Sequence, residues 1–168
     1  KFEKDEKHIV MFIDIGYANY NVFIVEYINN SLKILSTSHD TYFGGREFDK
    51  ILFDYFKKEI GVELSSKEKL KLLINCEKLK IKLSPSGIKE SNIHIDALYN
   101  DCDFTCKITL KKFDELSKLL WEKLDGPILK CLEESKLNLS DITKFEILGG
   151  ASRTPTLKKK NGKYIKHR

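Results

Sequence analysis

The sequence predicts a mixed α/β fold, with one sheet built from the first and last parts of the chain and a small α+β part set between them. Three observations carry this expectation. Residues 8–40 are rich in β-branched and aromatic residues and are broken by two turn signals. Residues 46–60 and 66–84 place apolar side chains at helical spacing. A last apolar run, KFEILGG at 144–150, follows the final helical stretch and can return to the first sheet. A chain of 168 residues with 41% hydrophobic content is about one domain with a core of its own.

The elements follow in order. Residues 1–7 (KFEKDEK) read as a charged linker. HIVMFIDIG, NYNVFIVEYI and LKILSTSHD form a three-stranded meander, with Asn29-Asn30 as the second turn. Phe43-Gly44-Gly45 interrupts the pattern. A helix over 46–60 then points Phe48, Ile51, Leu52, Tyr55 and Phe56 inward and stops at Gly61. A second helix, with Ser66 as N-cap, runs to about Ser84 on a Leu72, Cys76, Leu79, Leu83 stripe and ends at Pro85-Ser86-Gly87. SNIHIDALYN and FTCKITL form a small second sheet across an Asn100–Asp103 turn. Thr109 caps a long helix from about Lys111 to Ser135, which Gly126-Pro127 should kink or restart. KFEILGG is a buried final strand.

Composition excludes several classes. The net charge of +5 is carried by six Lys and Arg residues at 158–168, so the body alone stands at −1. A neutral body with Arg only at 46, 153 and 168 gives no nucleic-acid footprint. No apolar run approaches the roughly 18 residues of a membrane span, so no membrane partner is expected. Cys76, Cys102, Cys106 and Cys131 form no CxxC pair and have no His at zinc-finger spacing. The expectation is reduced, part-buried thiols in a cytoplasmic protein. A chain starting at Lys1, with no signal-peptide pattern, is expected to be a piece of a longer protein.

Four segments carry chemistry. Asp14-Ile15-Gly16 ends the first strand. A carboxylate there can hold a hydrated Mg²⁺, and the glycine lets backbone N–H groups approach a phosphate. The same pattern also suits an ordinary hairpin turn. Gly44-Gly45-Arg46-Glu47-Phe48-Asp49 brings backbone close to a ligand ahead of a helix. Leu148 to Pro155 (LGGASRTP) is a strand running into paired glycines, followed by Arg153, which can lie flat on a purine. Either glycine pair is equally consistent with a simple turn. Glu77, Lys80 and Ser84 stack on one face of the second helix at i, i+3 and i+7. That face reads either as a ribose-and-purine clamp or as a solvated face with a Glu–Lys pair.

Taken in order, DIG…GGREFD…CEKLKIKLS…LGGASRTP resembles the second lobe of the ATP-binding domain of the 70-kDa heat-shock chaperone superfamily. That superfamily shares its fold with actin and sugar kinases. The resemblance covers about residues 8–157 and implies an actin-like ATPase (ribonuclease H-like) lobe with an inserted α+β subdomain. Residues 8–43 with 111–157 would form the ribonuclease H-like subdomain and 44–110 the inserted one, leaving 158–168 as a basic tail. The implied cofactor is ATP or ADP with Mg. By motif position, Asp14 would approach the Mg through water and Gly16 the phosphates, while Gly45 would border the nucleotide. Glu77 and Lys80 would bond ribose hydroxyls and Ser84 the adenine edge. Gly149 and Gly150 would supply close backbone, and Arg153 would stack on the purine.

The departures point to a branch. Tyr17 and Ala18 stand where the ordinary chaperones have glycines, Asn19 where they have Thr, and Asn21 where they have Asp. Ile81 replaces a usual Arg or Lys, so cation–π stacking gives way to apolar packing. The loop and FGGREFD look like the large heat-shock proteins of the 110-kDa class. This implies a co-chaperone and nucleotide-exchange factor working with a 70-kDa heat-shock chaperone and unfolded client proteins. The alternative is the second lobe of an ordinary ATP-hydrolysing 70-kDa chaperone. A sugar kinase of the same superfold is disfavoured by CEKLK and GGREFD. No catalytic residue is assigned here. The chain alone is expected to be inactive because the other lobe supplies the first phosphate loop and the catalytic Lys, and the parent would be a weak ATPase at most.

Overall fold

The computed structural model describes residues 6–29 and 31–154. Most of the expected linker at 1–7, Asn30 of the second turn, Pro155 and the basic tail at 158–168 lie outside the described residues. The chain divides into two compact units. One takes in residues up to Gly45 and from Glu122 onward, and the other runs from Arg46 to Trp121.

The first unit holds a four-stranded sheet of order β3-β2-β1-β6. Its strands are β1 (His8–Ile15), β2 (Tyr20–Ile28), β3 (Ser31–Asp40) and β6 (Lys144–Leu148). β1, β2 and β3 form the expected antiparallel meander, and β6 adds to β1 in parallel. β1 is therefore internal. Ile9, Met11, Ile13 and Ile15, spaced by two, are all buried on one face. Tyr20, Val22 and Ile24 of β2 lie opposite Ile15, Ile13 and Met11 and extend that face. Helix α5 (Asp125–Ser135) packs on β2 and β3. Two buried hydrogen bonds tie the sheet to this segment. Tyr20 donates its hydroxyl to the Leu124 carbonyl at 2.9 Å, and Ser36 donates to the Cys131 carbonyl at 2.7 Å. Burial pushes the Cys131 thiol above its ordinary value.

The second unit contains α1 beyond its first residue (α1 is Gly45–Ile60), α2 (Ser66–Leu83), the hairpin β4 (Glu90–Tyr99) and β5 (Cys102–Thr109), and α3 (Leu110–Leu116). α4 (Lys118–Lys123) crosses its far boundary. Phe48, Leu52 and Phe56 on α1 are fully buried, as their helical spacing predicts. Phe48 meets Trp121 at 4.6 Å and Phe113 at 6.1 Å between ring centroids, and Phe56 meets Phe104 at 5.9 Å. Leu72, Cys76, Leu79 and Leu83 form the buried stripe of α2.

Several local signals act as read. Gly61 ends α1 at φ 72, and Thr109 accepts from the Lys112 N–H to cap α3. Asn100 and Asp101 both take positive φ in the two-residue turn of the β4–β5 hairpin. All four cysteines are free thiols, and Cys76 and Cys131 are buried. Among the described residues no helix is long and apolar enough to cross a membrane.

Three expectations are corrected. The α2 N-cap is Ser65, not Ser66, because only Ser65 has a Glu three residues on to complete a capping box. Ser65 Oγ accepts from the Glu68 N–H, and Glu68 returns a bond to the Ser65 N–H at 2.6 Å. The single helix expected over 111–135 is three helices, broken at Ser117 and Leu124. Ser117 leaves helical geometry at φ −87, ψ 5 and is fully buried. The restart expected at Gly126-Pro127 is present: α5 begins at Asp125, and Pro127 falls in its first turn, where its missing N–H costs no bond. β6 is half-exposed rather than buried, because it is an edge strand paired only with β1.

The aromatic cluster on α1 gives a direct test. Phe48→Ala should destabilise the second unit by about 3–5 kcal/mol in urea denaturation, the usual cost of emptying a fully packed aromatic site. A loss under about 1 kcal/mol would show that Trp121 and Phe113 close the gap.

Candidate functional site

In the first unit, three sequence-remote glycine segments meet at the end of the sheet. The parallel register sets Asp14 beside Leu148, so β1 and β6 end together. Gly149 follows at φ 86, and a Cβ there would collide with the Ile15 carbonyl and lie 2.8 Å from Asp14 Oδ1. The turn after β1 is closed by the Gly16 N–H donating to the Asn19 carbonyl at 2.9 Å. The Gly16 carbonyl in turn accepts from the Gly45 N–H at 3.0 Å. A Cβ on Gly44 would stand 2.5 Å from the Tyr17 carbonyl oxygen. Both glycine pairs thus close on the turn after β1, and only glycine permits the approach at 44 and 149.

The remaining glycines have a different character. A Cβ on Gly16 would make ordinary contact at 3.5 Å with the Asn19 carbonyl, and one on Gly150 would meet nothing within 4 Å. Protein packing does not require glycine at either place. Gly150 opens a 3-10 turn, Gly150–Arg153, held by Ser152 Oγ donating to the Gly149 carbonyl at 2.6 Å. Arg153 at its end is exposed. Asp14 is half-buried, and its cross-strand neighbour is Asn21, an amide in place of a second carboxylate. Tyr17 is 54% exposed, with its side chain turned to solvent.

This arrangement fits a phosphate and hydrated cation in part. Asp14 supplies one carboxylate beside glycine-lined backbone, and Gly16 and Gly150 leave room for a close approach. A bound Mg²⁺ would neutralise phosphate charge there. Asn19 and Asn21 supply amide groups where the resemblance expects a hydroxyl and a second acid.

The second unit holds Glu77, Lys80 and Ser84 on α2. Glu77 is exposed and Ser84 half-buried at the helix end, where its Oγ donates to the Lys80 carbonyl at 2.9 Å. Ile81 is 59% exposed. Lys80 is not on a solvated face. Its side chain is 10% exposed, and its Nζ lies 2.8 Å from Asp49 Oδ1 on α1. The pair therefore joins Lys80 to Asp49 rather than to Glu77.

Asp49 is the residue the sequence reading missed, although it ends the quoted GGREFD motif. Its signal was spacing: 49, 52 and 56 share a face of α1, so an acid there lies on the buried side. Its side chain is 1% exposed, and burial pushes its carboxyl above the ordinary range, against the pull of the Lys80 ammonium. Burial first, and then the Asp49 charge, push the neighbouring Cys76 thiol up to about 12. A buried pair of this kind adds little net stability, whereas removing one partner costs about 3–5 kcal/mol.

A family model described as "Hsp70 protein" matches residues 2–168. The chain is 36% identical over 168 residues to "Heat shock 70 kDa protein 4L" of Homo sapiens, covering 96% of this chain and 20% of that protein. It is 35% identical over 162 residues to "Heat shock 70 kDa protein 4" of Canis lupus familiaris, covering 93% and 19%. It is 36% identical over 157 residues to "Heat shock protein hsp88" of Neurospora crassa, covering 90% and 22%. The chain therefore spans about a fifth of the length of the curated relatives it matches.

Two measurements test the geometry. Gly149→Ala should lose about 1–3 kcal/mol or more in thermal or urea denaturation, because of positive φ and a blocked Cβ. Gly150→Ala should stay within about 0.5 kcal/mol of the parent. Asp49 sets a pH dependence. Its raised folded-state pKa means that the folded unit holds the proton more tightly than the unfolded chain. Its contribution is full below the unfolded value of about 3.9 and is lost as pH rises through the raised folded value. Urea midpoints followed upward from about pH 4 should fall in the parent, and Asp49→Asn should flatten that fall.

Proposed function

This chain belongs to the Hsp70 family, and we propose that it forms the second lobe of the ATP-binding domain of a 110-kDa-class large heat-shock chaperone. In that reading the whole protein is a co-chaperone and nucleotide-exchange factor for a 70-kDa heat-shock chaperone, and it holds unfolded clients. The family has the actin-like ATPase fold. The division into a ribonuclease H-like subdomain (8–43 with 111–157) and an inserted subdomain (44–110) is part of the proposal, as is a cytoplasmic location.

One observation carries the reading. The glycine contacts that close on the turn after β1 are present, while the turn itself carries Tyr17, Ala18 and Asn19, and Asn21 follows in β2 opposite Asp14. The scaffold for a phosphate is kept, and the groups that would orient and activate water are reduced. Nucleotide would then serve as a ligand that holds a conformation more than as a substrate. Gly16 would face phosphate, with Asp14 reaching Mg through water, while Gly45 would border the nucleotide and Gly149 and Gly150 would supply close backbone. Glu77 and Lys80 would meet ribose hydroxyls, Ser84 the adenine edge and Arg153 the purine face. The names of the relatives support the chaperone class. In this reading an exchange factor grips the ATP-binding domain of its partner chaperone and holds its lobes apart, so that ADP escapes.

The test is calorimetry of ATP and ADP binding to the full-length protein, with turnover measured in the same samples. Release of labelled ADP from a 70-kDa chaperone is followed on adding the protein. Tight binding, turnover near background and faster ADP release are expected. Robust turnover without faster release would favour an ordinary ATP-hydrolysing chaperone. No nucleotide binding would overturn the cofactor assignment.

A further inference from the structure

We infer that Asp49 is the positioning residue for the Lys80 ammonium, holding it in place for the ribose hydroxyls of an adenine nucleotide; this rests on the nucleotide reading proposed above. The geometry starts from an oddity of α2. Its lysines at 67, 78 and 82 are exposed and those at 69 and 71 half-buried, as long charged side chains on a helix normally are, whereas Lys80 is buried. Lys80 reaches Asp49 at 2.8 Å, and the two side chains are 10% and 1% exposed.

Both ends of that contact are fixed by the fold. Asp49 follows Phe48, which is packed against Trp121 and Phe113, so the first turns of α1 cannot shift freely. The Lys80 carbonyl is held by Ser84 Oγ at 2.9 Å, and Ser84 also closes the end of α2 through its N–H to the Ile81 carbonyl. A lysine has four rotatable side-chain bonds, and a ligand that used its amine would otherwise have to freeze them on binding. Pairing with a buried carboxylate does this in advance.

The pair is also poorly built as a stabilising device. Asp49 Oδ2 is buried and has no hydrogen-bond partner among the described residues. A carboxylate satisfied on one side only is a weak choice for holding two helices together, since apolar side chains would serve as well. It is a good choice for setting an amine. An ammonium has three donors, so contact with Asp49 and contact with a ligand are compatible. Glu77, one helical turn before Lys80 and exposed, offers the matching acceptor. A donor and an acceptor side by side suit a vicinal diol, whose hydroxyls both give and take hydrogen bonds.

The experiment compares ADP with 2′,3′-dideoxy-ADP by calorimetry on the full-length protein. The parent should prefer ADP. Asp49→Asn should weaken ADP binding by about three- to tenfold, as expected when one long side chain loses its pre-set rotamer, and leave dideoxy-ADP unchanged. Lys80→Met should show a selective loss of the same kind. The double variant should lose no more than Lys80→Met alone, because Asp49 acts only through Lys80. Asp49→Glu, which keeps the charge, should recover part of the preference. Thermal melts check that each variant is folded. If Asp49→Asn does not fold, Asp49→Glu is read in its place, with a selective, partial loss expected. Equal loss for both nucleotides in a folded variant, or additive losses in the double variant, would overturn the inference and leave nucleotide binding standing. A parent that binds both ligands equally removes the ribose role alone. A parent that binds neither removes the nucleotide reading and this inference together.

Discussion

The parallel pairing of β6 with β1 is the constraint on which the candidate site in the first unit depends. An antiparallel neighbour can follow through a short turn, as β2 and β3 do. A parallel neighbour needs a crossover, and here the crossover consists of everything between Asp40 and Lys144. The register then decides the chemistry. With Asp14 level with Leu148, the next residue must run along the Ile15 carbonyl, and only a glycine at positive φ fits there. A one-residue slip would place Leu148 or Gly150 against that carbonyl and turn the apolar face of β6 away from the core.

The glycines fall into two groups that a sequence alone treats alike. Gly44 and Gly149 are small because another stretch of the same chain lies against them. Gly16 and Gly150 have room for a side chain, so their smallness is not explained by packing. The distinction sharpens the functional reading. A ligand that approaches the backbone closely is a reason for glycine at 16 and 150, whereas at 44 and 149 the fold is reason enough. Tyr17, Ala18 and Asn19 sit within a turn whose glycine contacts are intact, so in the proposed reading they and Asn21 bear on chemistry more than on architecture.

The second unit shows a different economy. Its core is aromatic and aliphatic, with Phe48, Phe56, Phe104, Phe113 and Trp121 supplying ring contacts along α1. Within that core Asp49 pairs with Lys80. Burial raises the Asp49 carboxyl, the nearby ammonium opposes the rise, and the Cys76 thiol is kept protonated beside them. A reactive thiolate is therefore not available at Cys76, and its role is packing.

The sequence by itself determined what depends on neighbours within about four residues. The apolar, β-branched and aromatic runs of β1 and β2, the stripe of α2, the Gly61 stop, the Thr109 cap and the turn within Asn100–Asp103 were all legible, because backbone conformation there follows from local sterics and hydrogen bonding. The glycine segments were legible as segments for the same reason, since DIG, GGREFD and LGGASRTP are runs of consecutive residues. Ser65 was also within reach, through the Glu68 that completes its box. What tertiary structure alone decided involves partners far apart in the chain. The break at Ser117, the exposed edge at β6, the collision that requires Gly149 and the choice of Lys80 as the partner of Asp49 have no local signature. Each is set by what packs against it, and that is a property of the assembled core rather than of any short stretch of chain.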